Sequence, residues 1–156
     1  MSAEHRDVVT VERFIPAPAS AIFDLLAHPD RHQEIDGSGT VRSAKGGGDR
    51  LRPGSHFGMS MKMGVPYAME STVIEFEEDR RLAWQTRGPT AIGRLVGGRI
   101  WRYELEPQDG GGTLVRESWD ITQESWLTKP GVKRLGAATA KNMAATLERI
   151  EQVLTA

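Results

Sequence analysis

The sequence predicts an α+β domain in which a long C-terminal helix packs on an antiparallel sheet. Apolar residues recur every three or four positions across residues 132–154, with charged residues between them, as on an amphipathic helix. Most of the chain upstream alternates with the two-residue period of strands, and short turns rich in glycine, proline and aspartate interrupt it. Because tight turns join strands that run in opposite directions, these strands should form an antiparallel meander that buries the helix stripe.

The first third of the chain predicts one strand followed by two short helices. β-branched residues favour a strand over residues 8–15, and apolar residues on both of its sides leave open which face points inward. Pro18 suits the first turn of a helix over residues 19–26, and the His28-Pro29 pair ends that helix. Residues 30–35 predict a second short helical turn that Ile35 anchors.

Six further strands are predicted, and they cover residues 40–45, 55–63, 67–77, 82–87, 99–106 and 113–122. The connection over residues 88–98 carries four glycines and exposed apolar residues, which is typical of a lid. Pro130 then opens the final helix. Neither an internal repeat nor a linker interrupts the chain, so residues 1–156 are expected to form a single domain.

Composition argues against several classes of protein. The 156 residues are 38% hydrophobic and 26% charged, which are ordinary values for a soluble globular domain. A formal net charge of −1 argues against nucleic-acid binding and against attraction to anionic lipid surfaces. Without cysteine there can be no disulfide, thiolate nucleophile or cysteine metal site. No segment reaches the ~20 apolar residues of a membrane span, and the N-terminus lacks the apolar core of a signal peptide, so a cytoplasmic location is expected.

Three short motifs occur in a characteristic order along the chain. They are PASAIFDLL at 18–26 followed by PDRH at 29–32, RLAW at 81–84, and YELEP at 103–107 followed by Gly112-Thr113. Together they resemble the START-like, or SRPBCC, superfamily and within it the bacterial polyketide cyclase/dehydrase-like subgroup. The resemblance implies a helix-grip fold, in which a curved antiparallel sheet of about seven strands wraps around the C-terminal helix and leaves a cavity between them.

The same resemblance implies three alternative functions, because this superfamily fixes fold better than activity. The first is the binding of a small hydrophobic ligand, aromatic, polyketide-like or lipid-like, in the cavity. The second is an enzyme of polyketide cyclase, aromatase or dehydratase type that uses the same cavity. The third is an interaction module of the chaperone-activator type, for which Ile92, Leu95 and Val96 would form the contact patch.

The apolar candidates for the cavity begin with alternate methionines of one predicted strand. Methionine is flexible and polarisable, which suits an adaptable pocket, and the alternative is plain core packing against the final helix. The predicted ligand-binding residues are Met59, Met61, Tyr67, Trp101, Trp119, Thr139, Asn142 and Met143.

The polar candidates lie in the predicted hairpin of residues 99–122. Since strand side chains alternate, Arg99 and Tyr103 share the side of Trp101, and Glu117 shares the side of Trp119. A carboxyl group among aromatic rings has a raised pKa and suits a general acid or base, unless Arg99 pairs with it. Glu117, Tyr103 and Arg99 are therefore the predicted catalytic residues, and a structural ion pair is the alternative.

Other polar clusters carry weaker signals. His28 and His32 with Glu34 and Asp36 lack the regular spacing of a metal site, so no metal is expected, and His32 could lie at a pocket mouth. The glycine runs at 37–39 and 46–48 lack the Gly-Lys-Ser/Thr ending of a phosphate loop, so no nucleotide or other cofactor is expected. The oligomeric state stays open between monomer and homodimer.

Overall fold

The structure is a computed structural model, and it describes residues 7–36, 41–45, 50–63, 65–88 and 95–156. Within these residues the chain forms seven strands in a single sheet. The strands are β1 Val8–Ile15, β2 Val41–Lys45, β3 His56–Met63, β4 Val65–Glu77, β5 Arg81–Arg87, β6 Gly97–Pro107 and β7 Thr113–Asp120.

The helices of the described residues lie in two groups, after β1 and after β7. They are α1 Ala19–Leu26, α2 His32–Ile35, α3 Lys129–Lys133 and α4 Gly136–Thr155, with a 3₁₀ turn over Pro29–Arg31. Pro18 precedes α1 as its N-cap in an extended conformation, which suits a residue that has no N–H to donate. Among the described helices, none combines the length and the apolar character that crossing a bilayer requires.

The sheet confirms the predicted helix-grip architecture. Its strand order is β1-β7-β6-β5-β4-β3-β2, and every neighbouring pair is antiparallel. The chain therefore runs as a meander from β2 to β7, and β1 joins the far edge beside β7. Register shifts interrupt β2, β4 and the β5–β6 pair, and such irregularities bend a sheet and increase its twist.

The apolar stripe of α4 packs on the inner face of this sheet. Met143, Leu147 and Ile150 are buried, at intervals of three or four residues. β1 contributes Val9 and Ile15 to the buried side. Val8 and Phe14 face solvent instead, so the burial of alternate residues resolves the orientation that the sequence left open.

The predicted start of the last helix was wrong. The expected helix over residues 132–154 is divided into α3, which contains Val132, and α4, which begins at Gly136. Leu135 is the N-cap of α4 and is 46% exposed, since the chain turns there and the Leu135 N–H bonds to the Val132 carbonyl. A residue in that turn cannot continue the stripe, although its position in the sequence fits the helical period.

Candidate functional site

The site is built around Glu117, in the middle of β7. Register pairs Glu117 with Tyr103 of β6 on one side and with Val11 of β1 on the other. Its side chain lies on the inner face together with Val115 and Trp119, and Glu117 is only 2% exposed. The carboxyl group of Glu117 therefore lies in the layer between the sheet and the helices.

Burial controls the protonation of this carboxyl group. Loss of solvent raises the pKa of Glu117 to about 8, hydrogen bonding to the Tyr103 hydroxyl opposes the rise, and the negative charge of Asp36 adds to it. One carboxyl oxygen, Oε1, is buried and has no hydrogen-bond partner among the described residues. Near neutral pH the group is therefore mostly protonated and has an unused hydrogen-bonding atom.

Tyr103 is the polar neighbour of Glu117, and it is buried with it. Burial raises the pKa of the Tyr103 hydroxyl well above its ordinary value, and the nearby Glu117 charge raises it further. The hydroxyl therefore keeps its proton and acts as a donor. The Tyr103 ring lies 5.7 Å from the Trp84 ring, which continues the aromatic wall towards β5.

His32 of α2 closes this wall from the helix side. Its ring stacks on Trp84 at 5.1 Å and meets the edge of Phe57 at 5.8 Å. Burial lowers the pKa of His32 to about 4, so the imidazole is neutral. Since the backbone carbonyl of Leu26 can only accept, the 2.7 Å contact means that Nε2 carries the proton. The suggestion that His32 lies at a pocket mouth is wrong, because the residue is 7% exposed and stacked in the interior.

Arg99 pairs with Glu124 rather than with Glu117. Its Nε and one terminal nitrogen each lie 3.2 Å from a carboxylate oxygen of Glu124, in a two-point contact. The Glu124 side chain is fully buried, and the Thr128 hydroxyl donates to it as well. Among the described residues, no ion pair joins Arg99 to Glu117. The structure therefore does not form the alternative Arg99–Glu117 pair, and Arg99 instead ties β6 to the turn after β7.

The predicted aromatic and methionine residues lie next to the Glu117 site. Trp101 and Trp119 are opposite each other in register, and their ring centroids are 6.4 Å apart. Trp119 and Met143 are buried in one apolar cluster with Val9, Ile121 and Val132, whereas Trp101 is only partly buried. In this structure the contacts of Trp119 and Met143 are with the protein core.

Thr139 and Asn142 also lie along α4. Thr139 is 9% exposed and lies one turn before Met143 on the buried stripe. Asn142 is half-buried, and its backbone carbonyl accepts a hydrogen bond of 3.1 Å from the Thr146 hydroxyl. These two residues place polar groups at the helix surface that faces the sheet and at its edge.

Some predicted ligand contacts lie outside the described residues. This applies to the side chains of Met59, Met61 and Tyr67, although the backbone register pairs Met59 with Met69 and Met61 with Tyr67. Most of the predicted lid, residues 89–94 including Ile92, is also outside them. Of the remaining patch, Leu95 is 51% exposed and Val96 is half-buried.

Two further polar features concern Glu70 and metal ligands. Alternation along β4 leaves open which way Glu70 faces, and the structure exposes it on the side opposite the buried Met69 and Ser71. Within the described residues, no group of three or more histidine, aspartate or glutamate side chains is arranged to hold a metal ion.

Sequence reasoning missed several residues that shape the site. Asp36, Phe57, Trp84 and Glu124 act on it through contacts between segments that are distant along the chain. Trp84 and Phe57 carried a usable signal, because Trp84 belongs to one of the three motifs and Phe57 shares its side of a predicted strand with the alternate methionines. Asp36 and Glu124 follow the ends of a helix and a strand, where periodicity says nothing about direction.

Comparison with known proteins identifies the relatives of this chain. Residues 6–155 match the family model described as polyketide cyclase / dehydrase and lipid transport. The uncharacterized protein Rv0088 of Mycobacterium tuberculosis is 36% identical over 107 residues, which are 68% of this chain and 44% of that protein. The chain thus spans less than half the length of the curated relatives it matches.

Solved structures agree on the fold. A protein from Arthrobacter aurescens superposes with a TM-score of 0.71 at 14% identity, over 99% of this chain and 89% of that one. Ginseng major latex-like protein 151 from Panax ginseng gives 0.67 at 11% identity, over 94% and 96%. At such low identities these matches show the fold alone, and they agree with the helix-grip fold that the motifs indicated.

Proposed function

The chain belongs to the polyketide cyclase/dehydrase and lipid transport family, and on that premise we propose that it binds a small hydrophobic molecule between the sheet and α4. The observation that supports this most directly is the Oε1 atom of Glu117, which is buried without a hydrogen-bond partner among the described residues. A buried polar atom left unpaired costs roughly 1–3 kcal/mol. A ligand with one polar group would remove that cost.

The surroundings of Glu117 favour a neutral ligand with a hydrogen-bond acceptor. The O–H of a protonated Glu117 is a donor that suits a ligand carbonyl, while the Tyr103 hydroxyl donates its own proton to Glu117. No arginine or lysine pairs with Glu117 among the described residues, since Arg99 is held by Glu124. The aromatic residues Trp84 and Trp101 favour a flat, unsaturated body on the ligand. Among the residues that the structure describes, an anionic carboxylate ligand would therefore meet no cation beside Glu117.

The binding test uses three probes that share one ring system: acetonaphthone, naphthalene and naphthoate. Quenching of tryptophan fluorescence gives the dissociation constants. The carbonyl of acetonaphthone should improve binding about tenfold over naphthalene, which is the effect of one buried hydrogen bond. The charged naphthoate should bind more weakly than either neutral probe.

A matched pair of variants locates this preference. Glu117→Met removes the polar group and should bring acetonaphthone and naphthalene within about twofold of each other. Glu70→Met makes the same change on the exposed side of β4 and should keep the preference of the unaltered chain. Equal affinity of the unaltered chain for the two neutral probes would contradict the proposed role of Glu117. A co-purified small molecule in native mass spectrometry would further narrow the ligand chemistry.

The second candidate is an enzyme of cyclase, aromatase or dehydratase type, and the pKa of Glu117 favours it. A carboxyl group that titrates at about 8 can both give and take a proton near neutral pH. Its carboxylate form would remove a proton next to a carbonyl of a poly-carbonyl substrate, and the Tyr103 hydroxyl would then shift its hydrogen bond from Glu117 to the carbonyl oxygen, where negative charge develops. Glu117→Gln should then abolish turnover and leave acetonaphthone binding intact. Turnover that survives this change would exclude Glu117 as the acid–base group.

A further inference from the structure

Three apolar side chains are exposed together at the end of the sheet where β6 begins and β7 ends. Trp126 is 78% exposed, Leu95 51% and Leu127 49%. The Ser125 hydroxyl donates a 2.9 Å hydrogen bond to the Leu95 carbonyl, which brings the two segments together. Leu95, Trp126 and Leu127 are referred to below as the Trp126 surface. A tryptophan with this exposure is unusual, and exposed apolar groups that lie together often mark an interaction site.

The segment that carries Trp126 is firmly attached to the sheet. The Ser125 N–H bonds to the Gly97 carbonyl at 2.7 Å, and Glu124 receives the two-point contact from Arg99. Gly98 has a φ of +112°, and a side chain there would overlap the backbone of Gln123. The turn therefore follows β6 closely and presents Trp126 outward on a fixed backbone. The exposure of the indole ring therefore follows from the backbone conformation of the turn.

The segment that follows this surface along the chain has an excess of basic residues. Between Glu124 and Glu148 the sequence has no acidic residue and four basic ones, at 129, 133, 134 and 141, although the whole chain has a net charge of −1. Lys129 and Lys133 lie 3.0 and 3.3 Å from Asp7, which offsets part of this charge. Arg134 is exposed and adds a further positive charge at the end of α3. The segment therefore combines an exposed indole with an excess of basic side chains.

We propose that the Trp126 surface docks on the surface of an anionic phospholipid bilayer. Indole rings prefer the interface between headgroups and hydrocarbon, where the ring is partly buried and its N–H stays hydrated. Basic side chains next to such rings add attraction to anionic headgroups, and the combination is typical of proteins that lie on membranes. An acidic protein partner would satisfy the charge, but it gives no comparable reason for an outward indole beside two leucines. The net charge of −1 is an average over the chain and does not describe this segment, in which the basic residues are concentrated.

This proposal is independent of the proposed ligand function, and vesicle co-sedimentation tests it directly. The unaltered chain should bind vesicles of phosphatidylcholine with phosphatidylglycerol, and bind vesicles of phosphatidylcholine alone at least about tenfold more weakly. Binding should fall as NaCl rises from about 50 to about 500 mM, because the Debye length shrinks from roughly 14 to 4 Å. Trp126→Ala should weaken binding about tenfold or more, and Ile74→Ala, a change at another exposed apolar residue, should have no effect.

Two more variants separate the charge and the indole contributions. Arg134→Glu should weaken binding to anionic vesicles about fivefold or more, whereas Arg52→Glu, also at an exposed arginine, should not. Of the four tryptophans, Trp126 is exposed, Trp101 is partly buried, and Trp84 and Trp119 are buried, so a vesicle-induced blue shift of emission should disappear in Trp126→Phe. No binding to anionic vesicles at low salt would overturn the proposal. So would binding that is insensitive to salt, or equal losses in the Trp126 and Ile74 variants.

Discussion

Replacement of Glu117 by glutamine should change how the stability of the chain depends on pH. Folding raises the pKa of this carboxyl group from its ordinary value of 4.5 to about 8. The folded state therefore binds a proton that the unfolded state releases, and this proton contributes stability fully below about pH 4.5. That contribution is lost as pH rises towards about 8. Glutamine has a similar shape and does not titrate, so the variant should lack this loss.

The size of the effect follows from the two pKa values. Between about pH 5.5 and 7.5 one proton separates the folded and unfolded states, so the loss is about 1.4 kcal/mol per pH unit. At pH 7 the accumulated cost in the unaltered chain is on the order of 3 kcal/mol. Carboxyl groups with lowered pKa, such as Asp7 beside Lys129 and Glu75 beside Arg102, add stability as pH rises. These contributions are common to both chains and cancel in the difference.

Urea unfolding of both chains at matched pH values from about 5 to about 8.5 measures this difference. The stability of Glu117→Gln minus that of the unaltered chain should rise with pH by about 3–4 kcal/mol in total. The curve should flatten above about pH 8, where Glu117 is ionised in both states. Parallel curves across this range would show that Glu117 is not held protonated in the folded chain, and the proposed donor and acid roles would fall with that result.

Three further changes test the packing that positions the site. Leu147→Ala should cost about 2–5 kcal/mol of unfolding free energy because Leu147 is buried at 1% exposure, and a cost near zero in urea unfolding would mean that the stripe of α4 is misplaced. Glu124→Ala should lower the unfolding free energy by about 3 kcal/mol or more, since it leaves Arg99 without its partner. Glu104→Ala, in a solvent-exposed ion pair, should lower it by less than about 1 kcal/mol. Similar losses in the two variants would contradict the anchoring role of Glu124. Gly98→Ala should lower the thermal midpoint more than Gly110→Ala, because both have positive φ but only the first would clash with backbone.

The fold could be predicted from the sequence because its main signals are local. The α4 stripe repeats with the helical period through Met143, Leu147 and Ile150, and alternation with tight turns indicated the meander. The start of α4 could not be predicted, since Leu135 keeps the apolar period while its backbone turns. The orientation of β1 was equally hidden, because the exposed Phe14 is as apolar as the buried Ile15. The orientation of such residues depends on which residues pack against them in the folded chain.

The candidate site was predictable only where two strands share a face. Alternation along β6 and β7 placed Tyr103 and Glu117 on one side, and a hairpin brings such residues close together. The partner of Arg99 was not predictable, because Glu124 lies beyond β7 in a turn whose direction no periodicity defines. The burial of His32 could not be predicted for a related reason. Its burial depends on Trp84, which is 52 positions away along the chain.

The pairing of Arg99 with Glu124 also explains why Glu117 keeps its proton. An arginine beside Glu117 would favour the charged form and lower the pKa of that carboxyl group. The structure places this cation on Glu124, and Glu117 is left with the hydroxyl of Tyr103 and the nearby negative charge of Asp36. One of the two buried carboxyl groups of this region thereby fixes the turn that exposes Trp126, and the other stays neutral in the interior. A change that redirected the arginine would therefore alter both features at once, the anchored turn and the protonated acid.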